Sequence, residues 1–233
     1  MIVCHKYKFI FLKTNKTAGT SLEIALSRFC DEGDIVTHLS SDEEAIRRGQ
    51  GGLSSQRYYA PWYLYNPRDW YNRIVHGDPK QLYYNHIPAR KLKRRLDPQV
   101  WDSYYKFCVE RNPWDRVISQ YYWRCRNLPE DKRPSIDEFL DSTHVRSLRR
   151  KGFHLYTING QLQVDKICRY ENLSEDLEEV RQHLGLPEPV EMPKTKSTFR
   201  SDRRHYRDVL TPAQRDRIAE MFADEIRLMG YEF

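Results

Sequence analysis

The stretch that most constrains the fold runs from residue 7 to residue 29. An apolar run at residues 9–12 is followed by small and polar residues at 14–21 and then by apolar residues at helical spacing. This order predicts a strand, a loop and a helix. Backbone N–H groups and the positive end of the helix dipole at such a junction favour an anion. Lys16 and Gly19 lie in the loop, where lysine can reach an anionic oxygen and glycine allows close backbone approach.

A second stretch repeats this arrangement later in the chain. A strand pattern at residues 105–109 leads into a helix for which Asn112 is a good N-cap and Pro113 a good first residue. Arg111 follows the strand, and Ser119 lies about two turns into the helix. Two anion-binding junctions in one chain indicate a ligand that carries phosphate-type groups at both ends.

Three alternatives to a site of this kind remain open from the residues. The loop around Lys16 is not a Walker A motif, which needs Gly, four residues and then Gly-Lys-Ser/Thr, so a plain strand-to-helix turn is one alternative. A nucleotide or small-molecule kinase with a variant phosphate loop is the second, although no persuasive metal-binding aspartate follows a strand. The net charge of +6 would also suit a basic nucleic-acid-binding protein, which would leave both anion loops without a role.

Both stretches resemble motifs of the sulfotransferases that use 3′-phosphoadenosine 5′-phosphosulfate (PAPS). Residues 15–21, Asn-Lys-Thr-Ala-Gly-Thr-Ser, resemble the 5′-phosphosulfate loop, with Asn15 where the family often has proline. Residues 111–119, Arg-Asn-Pro-Trp-Asp-Arg-Val-Ile-Ser, resemble the 3′-phosphate motif. The similarity is greatest to the carbohydrate and uronyl-type branch, including small bacterial forms, and covers most of the chain. Alternating strands and helices indicate an α/β fold with a parallel sheet flanked by helices, and the resemblance implies the P-loop-kinase-like architecture.

The resemblance implies a role for each matched residue. Lys16 would neutralise charge on the bridging oxygen as 3′-phosphoadenosine 5′-phosphate leaves, and Arg111 and Ser119 would hold the 3′-phosphate. No metal is required, and no residues with metal-ligand spacing are apparent in the sequence. The donor-binding residues implied in this way are Lys16, Thr17, Ala18, Gly19, Thr20, Ser21, Arg111 and Ser119.

Transfer to a hydroxyl needs a base for its proton, and histidine suits that role near neutral pH. His86 precedes Arg111 by 25 residues, which is about where the resembled branch has its base. His76 is the second candidate, and a structural histidine at a helix entry is the plain alternative. Tyr170 ends a further predicted strand, the position where open α/β sheets bind ligands, and is a candidate for donor binding.

Residues 53–85, within a predicted insertion at about 50–85, are rich in Tyr and Trp and show no sustained helical or strand period. They could pack on their own rings as a large surface loop. The functional alternative is an acceptor-binding wall, because flat rings with a polar edge suit sugars or aromatic alcohols. The predicted acceptor-binding residues are Tyr58, Trp62, Tyr63, Trp70 and His76.

Residues 190–207 begin rich in proline and become basic, which predicts either a charged linker or a basic flap. In the resembled family a late basic loop closes over the donor nucleotide. This similarity makes Arg200, Arg203 and Arg204 candidates for donor binding.

Length and composition set the remaining expectations. A chain of 233 residues suits one large domain or one and a half, and with the resemblance it is expected to form a single sulfotransferase domain over residues 1–233. Five cysteines without a Cys-x-x-Cys pair indicate a reducing compartment. With no signal-peptide pattern and no apolar run of membrane-spanning length, a cytoplasmic protein without a membrane partner is expected. The expected partner is a small-molecule or glycan acceptor rather than nucleic acid, and no sequence feature sets the oligomeric state.

Overall fold

A five-stranded sheet lies at the centre of the computed structural model, which describes residues 1–193 and 204–233. In spatial order its strands are β3 (Ile35–Val36), β1 (Ile2–Cys4), β2 (Phe9–Leu12), β4 (Tyr105–Glu110) and β7 (Lys166–Arg169). A separate hairpin pairs β5 (Thr157–Ile158) with β6 (Gln161–Leu162). Its turn is the Asn159-Gly160 pair, whose positive φ angles suit a tight hairpin.

Strands β2, β4 and β7 run parallel, whereas β1 is antiparallel to both β2 and β3. The α/β class with a parallel sheet is therefore confirmed for the centre of the sheet, while the β3–β1 edge departs from it. The cause is the connection between β1 and β2, because residues 5–8 are too few for a crossover and can only form a hairpin. Strand β1 is not predicted from the sequence, since its three residues are too few to show a period.

Helices cover both faces of the sheet, as the alternation of strands and helices predicts. They are α1 (Gly19–Leu26), α2 (Ser41–Gly49), α3 (Pro67–His76), α4 (Ala89–Lys93), α5 (Pro98–Ser103), α6 (Pro113–Cys125), α7 (Ile136–Asp141), α8 (Thr143–Arg150), α9 (Phe153–Tyr156), α10 (Leu173–Leu184), α11 (Tyr206–Val209), α12 (Pro212–Met221) and α13 (Ala223–Met229). Short 3₁₀ segments lie at Ser27–Phe29, Trp62–Leu64, Glu130–Lys132 and Tyr170–Asn172. Within residues 1–193 and 204–233, no helix has the length and apolar character needed to cross a membrane.

The residues of β2 show how the sheet is buried on both sides. Ile10 and Leu12 join an apolar cluster that includes residues of α4 and α5. Phe9 and Phe11 point to the opposite face, where they pack with residues of α1 and α10. Because both faces are covered, the strand is a continuous apolar run rather than an alternating one.

A third apolar cluster fixes α6 against the C-terminal helices. Val117 and Ile118 of α6 are fully buried in this cluster together with Ile218 and Phe222. The amino end of α6 is capped by Asn112, whose side chain accepts from the backbone N–H groups of the first turn. The packing therefore holds the amino end of α6, and the strand end before it, in a fixed position relative to the sheet.

The predicted insertion at residues 50–85 lies between β3 and β4 and contains α3. This helix has end signals in the sequence that a search for periodicity alone does not reveal. Asn66 caps its start by accepting a hydrogen bond from the N–H of Asp69 at 2.9 Å, and Pro67 is its first residue. Gly77 ends it in the left-handed conformation. One isolated bridge, Val36–Gln56, joins the insertion to β3, and a second, Tyr59–Gln81, joins two parts of the insertion.

Candidate active site

A cavity of about 930 Å³ lies where the loops that follow β2, β4 and β7 converge. Because the carboxyl ends of parallel strands share one edge of the sheet, these three loops meet there. The predicted residues that line the cavity are Lys16, Thr17, Ala18, Gly19, Thr20, Ser21, His86, Arg111, Ser119 and Tyr170. Both predicted anion-binding loops thus open into one space, together with the histidine that lies 25 residues before Arg111.

The loop between β2 and α1 has an unusual backbone. Lys16 and Ala18 have φ angles of 66° and 57°, in the left-handed region that residues other than glycine seldom adopt. Ala18 occupies the N-cap position of α1, and its methyl side chain has no oxygen with which to cap the helix. The start of α1 therefore faces the cavity with a positive dipole end and without a capping carboxylate or hydroxyl from Ala18, as an anion site requires.

Buried hydroxyls hold this loop in shape. The Thr14 hydroxyl donates to the carbonyl oxygen of Val109 on β4, and it lies 2.8 Å from the hydroxyl of Thr17. Thr17 is fully buried, so its hydroxyl supports the loop from within. A Cβ on Gly19 would lie 2.8 Å from Cγ of Lys13, which explains why this position has no side chain.

Lys13 and Glu23 form a charge cluster beneath the loop that the sequence analysis does not identify. Lys13 Nζ lies 2.8 Å from Glu23, and Arg47 lies 3.2 Å from the same carboxylate, with these side chains at most 5% exposed. Burial alone would raise the pKa of Glu23, but the charges of Lys13, the Met1 amino group and Arg47 lower it to about 2. Glu23 therefore stays ionised and anchors the residue that immediately precedes the anion loop.

Arg111 connects the two anion loops. Its Nε and Nη2 atoms donate to one oxygen of Asp115 at 2.8 and 2.6 Å, and its Nη1 donates to the carbonyl oxygen of Lys16 at 3.2 Å. The guanidinium also lies 4.1 Å from the ring centroid of Tyr170, within cation–π range. These contacts place a pre-oriented cation between the loop after β2, the loop after β4 and the segment after β7.

His86 adopts a conformation that suits a proton acceptor. Its Nδ1 lies 2.9 Å from the carbonyl oxygen of Lys13. Since a carbonyl can only accept, Nδ1 carries the ring proton and Nε2 keeps its lone pair. Burial, strengthened by the charge of Lys13, lowers the pKa of His86 to about 3. At neutral pH the ring is therefore uncharged, which is the form that can take a proton from a hydroxyl.

A sequence model described as the Sulfotransferase family matches residues 1–232 of this chain. The chain belongs to the sulfotransferase family. An uncharacterized protein of Archaeoglobus fulgidus is 35% identical to it over 109 residues, which are 46% of this chain and 88% of that protein. The crystal structure of a sulfotransferase from Alicyclobacillus acidocaldarius is 19% identical, with 96% of each chain covered and a TM-score of 0.42.

The aromatic residues predicted to bind the acceptor lie outside the cavity lining of this sulfotransferase. Tyr58 is buried, with its ring 6.0 Å from that of His38, which does line the cavity. Trp62, Tyr63 and Trp70 are exposed. His76, the second candidate base, is exposed at the end of α3, so His86 is the one of the two histidines that lines the cavity. An acceptor-binding role for the aromatic residues stays a prediction.

The predicted basic flap of the sulfotransferase is described only at its two ends. Arg200 and Arg203 lie outside the described residues, and Arg204 is exposed. Met192 and Pro193, which immediately precede the undescribed segment, line the cavity. The flap prediction therefore concerns a segment that starts at the cavity wall.

Trp123 is a cavity residue that sequence reasoning missed. The ammonium of Lys16 lies 4.8 Å from the Trp123 ring centroid, a cation–π distance. Trp123 is four residues beyond Ser119 on α6, so both side chains share one face of the helix. The four-residue spacing from Ser119 is the sequence signal that could have identified Trp123. His38, Asn85 and Arg124 also line the cavity, and the sequence analysis does not predict them.

In the described part of the sulfotransferase, one group of side chains has metal-ligand types in close proximity. Ligand atoms of Cys4, Cys30 and Asp34 lie within 4.8 Å of one another, outside the cavity lining. The Asp34 carboxylate already accepts the backbone N–H groups of His5 at 2.6 Å and Asp31 at 2.8 Å. A hydrogen bond with Cys4, together with burial, raises the pKa of the Cys30 thiol. A protonated thiol and a hydrogen-bonded carboxylate suit a structural cluster better than a metal site.

Proposed function

We propose that this sulfotransferase moves a sulfuryl group from PAPS to a hydroxyl of an acceptor, with a carbohydrate as the acceptor class. The observation that carries the proposal is the contact between Arg111 and the carbonyl of Lys16, which joins two anion loops 95 residues apart in the sequence. A ligand with anionic groups at both ends fits such a pair. His86 in the same cavity supplies an uncharged base.

The residues fit the donor in the following way. Lys16 and the amino end of α1 receive the 5′-phosphosulfate, and the N–H groups of residues 18–21 stabilise its oxygens. Arg111 and Ser119 receive the 3′-phosphate, with Arg111 already oriented by Asp115. Tyr170, whose ring lies against Arg111, contacts the nucleotide. By resemblance to the family, Arg200, Arg203 and Arg204 are proposed as further donor-binding residues.

His86 begins the reaction by accepting the proton of the acceptor hydroxyl at Nε2, while the Lys13 carbonyl holds Nδ1–H. The hydroxyl oxygen forms a new bond to sulfur as the bond from sulfur to the 5′-phosphate oxygen breaks. Lys16 stabilises the electron pair that remains on that oxygen, so 3′-phosphoadenosine 5′-phosphate leaves with the extra negative charge. The negative charge of a bound donor opposes the effect of Lys13 on His86 and makes the ring a stronger base than in the free protein.

The carbohydrate acceptor is supported by the mixture of groups on the cavity wall. Trp123 offers a flat ring, and His38, Ser40 and Asn85 offer hydrogen-bonding groups in the same cavity lining. Flat rings next to polar side chains suit the apolar faces and hydroxyls of sugars. A reducing, cytoplasmic setting is supported by the five cysteines, all of which are described, buried and free.

Calorimetric titration with adenosine 3′,5′-bisphosphate tests the donor, with ADP and magnesium as the comparison ligand. We expect metal-independent binding of the bisphosphate that is weakened about 10- to 100-fold in Arg111→Ala, the loss of one or two charge-assisted hydrogen bonds. Arg124→Ala removes an exposed arginine of the same cavity and controls for the loss of positive charge. Preference for ADP with magnesium, or an unchanged affinity in Arg111→Ala, would reject the proposed donor site. An acceptor screen with PAPS and glycans then tests the transfer.

A further inference from the structure

Helix α3 is amphipathic in the inverted sense, with its polar side turned towards the protein. Its half-buried residues are Asp69 and Asn72, and Asp69 forms an ion pair with Lys80 at 2.6 Å. The large apolar residues of the same helix are 40% to 77% exposed and are Trp70, Tyr71, Ile74 and Val75. At 3.6 residues per turn these four side chains fall within an arc of about 140°. A surface helix normally turns such a stripe inwards.

The exposed apolar surface continues into the segment before the helix. Trp62 and Tyr63 are 72% and 68% exposed, and the ring of Tyr65 lies 5.2 Å from that of Trp70 and links the segment to the helix. We call this surface the α3 face, which consists of Trp62, Tyr63, Leu64, Trp70, Tyr71, Ile74 and Val75. In the part of the chain that the structure describes, the cavity lining includes none of these seven residues. The candidate active site therefore gives them no role.

The extent of the α3 face approaches one side of a standard protein interface. Aromatic side chains bury about 150–250 Å² each, so these exposed fractions amount to several hundred Å². The largest apolar patch on a typical monomer is about 300–600 Å², whereas each partner of a standard interface buries about 800 Å². Because α3 is capped at both ends and held by Asp69, its stripe is a fixed surface.

We infer that the α3 face binds the α3 face of a second copy of this chain in a two-fold dimer. With the two-fold axis perpendicular to α3 the two helices are antiparallel, which brings Trp70 and Tyr71 in the first half of one helix against Ile74 and Val75 in the second half of the other. Each aromatic ring then meets an aliphatic side chain. The surface is complementary to itself along its length.

Charge at the rim of the α3 face agrees with this arrangement. Arg68 is exposed in the first turn of α3, and Asp78 is exposed just after its end. Antiparallel pairing brings Arg68 of one subunit to Asp78 of the partner subunit, twice in the dimer.

Sedimentation velocity of the full chain between about 1 and 100 μM measures the assembly. We expect the protein to sediment as a dimer and Ile74→Arg to sediment as a monomer, since the substitution places two charges in the apolar centre. Leu162→Arg is the matched control, because Leu162 is 44% exposed on β6 outside the α3 face, and it should leave the dimer intact. Unchanged circular dichroism and an unchanged midpoint of urea unfolding show that each variant is folded.

A charge exchange tests the orientation independently. Arg68→Asp and Asp78→Arg should each raise the dimer dissociation constant about tenfold, because each creates two like-charge contacts. The double variant restores both contacts with reversed sign and should recover the original value. Failure of the double variant to recover would overturn the antiparallel arrangement.

Three results would overturn the dimer. The protein could sediment as a monomer at 100 μM. It could remain monomeric and co-sediment with vesicles of phosphatidylcholine and phosphatidylserine, which would make the α3 face a lipid-binding surface. It could remain monomeric while Ile74→Arg raises the KM for a glycan acceptor but not for the donor. That result would support the predicted acceptor-binding role of the aromatic residues. The dimer does not depend on the proposed donor, so either can fail alone.

Discussion

Replacing His86 by asparagine removes a titrating group from the cavity while keeping the local structure. His86 has a φ of 60°, a left-handed conformation that asparagine tolerates better than most residues. The amide nitrogen of asparagine can donate to the Lys13 carbonyl as Nδ1 does in the native protein. The substitution therefore isolates the effect of the imidazole on stability and on catalysis.

The size of the stability effect follows from the pKa of His86, which falls from 6.5 to about 3 on folding. Between these values the unfolded chain binds a proton that the folded protein does not, so protonation favours unfolding. The stability that neutral His86 contributes is complete above about pH 6.5 and is lost as the pH falls towards 3. At about 1.4 kcal/mol per pKa unit, lowering the pH to about 4.5 costs the wild type roughly 2 to 3 kcal/mol at this residue.

Urea unfolding of the wild type and His86→Asn at pH 7.5 and pH 4.5 measures the pH-dependent stability that His86 contributes. The free energy of unfolding should fall less in the variant than in the wild type, by roughly 2 to 3 kcal/mol between the two pH values. Other groups that titrate, including the buried Met1 amino group, are common to both proteins and cancel in the comparison. His38→Asn, at an exposed histidine of the same cavity, controls for the removal of an imidazole as such.

The reasoning would be refuted if the difference in free energy of unfolding between the wild type and His86→Asn were the same at both pH values. That outcome would mean that the ring titrates in the folded protein much as it does in the unfolded chain. The same variant should have no measurable sulfuryl transfer while still binding adenosine 3′,5′-bisphosphate. Activity close to that of the wild type would remove His86 from the role of base.

The remaining predictions concern the anion loop and its support. Lys16→Ala should lower kcat about 10²- to 10³-fold with nucleotide affinity largely kept, and turnover like that of the wild type would refute its role. Glu23→Gln leaves Lys13 and Arg47 buried without their shared carboxylate, so it should lower the free energy of unfolding measured in urea by about 3 to 5 kcal/mol. A loss below about 1 kcal/mol would show that the cluster reorganises. Gly19→Ala places a Cβ 2.8 Å from Lys13 Cγ and should weaken binding of adenosine 3′,5′-bisphosphate about tenfold without unfolding the protein, and unchanged affinity would show that the loop adapts.

Much of the fold is predictable because its central elements have clear local signals. Strands β2 and β4 are apolar runs long enough to be recognised, and α6 begins with Asn112 and Pro113 at the expected positions. Strand β1 has three residues, too few for any pattern. Helix α3 has clear end signals and apolar residues at helical spacing, but its stripe covers only residues 70–75 and lies among other aromatic residues that obscure its period.

The candidate site divides in a similar way. Lys16, Arg111 and Ser119 are predictable because each lies at a fixed place in a strand-to-helix junction. The Lys13–Glu23 pair is not, because a buried ion pair depends on tertiary packing that brings Arg47 to the same carboxylate. Residues 58–76 show the opposite case, since their aromatic composition suggests a binding surface but does not say which ligand or partner it meets.

The hydrogen bond from Arg111 to the Lys16 carbonyl makes the two anion loops mutually dependent. The bond from Thr14 to the Val109 carbonyl braces the same pair of loops from beneath. Removing the Arg111 guanidinium therefore also loosens the loop that carries Lys16, whereas Lys16→Ala keeps the carbonyl that accepts this bond. The free energy measured for Arg111→Ala therefore includes part of the contribution of the Lys16 loop, and the effects of the two substitutions need not add. For the proposed donor, recognition of its two ends would therefore be coupled through Arg111.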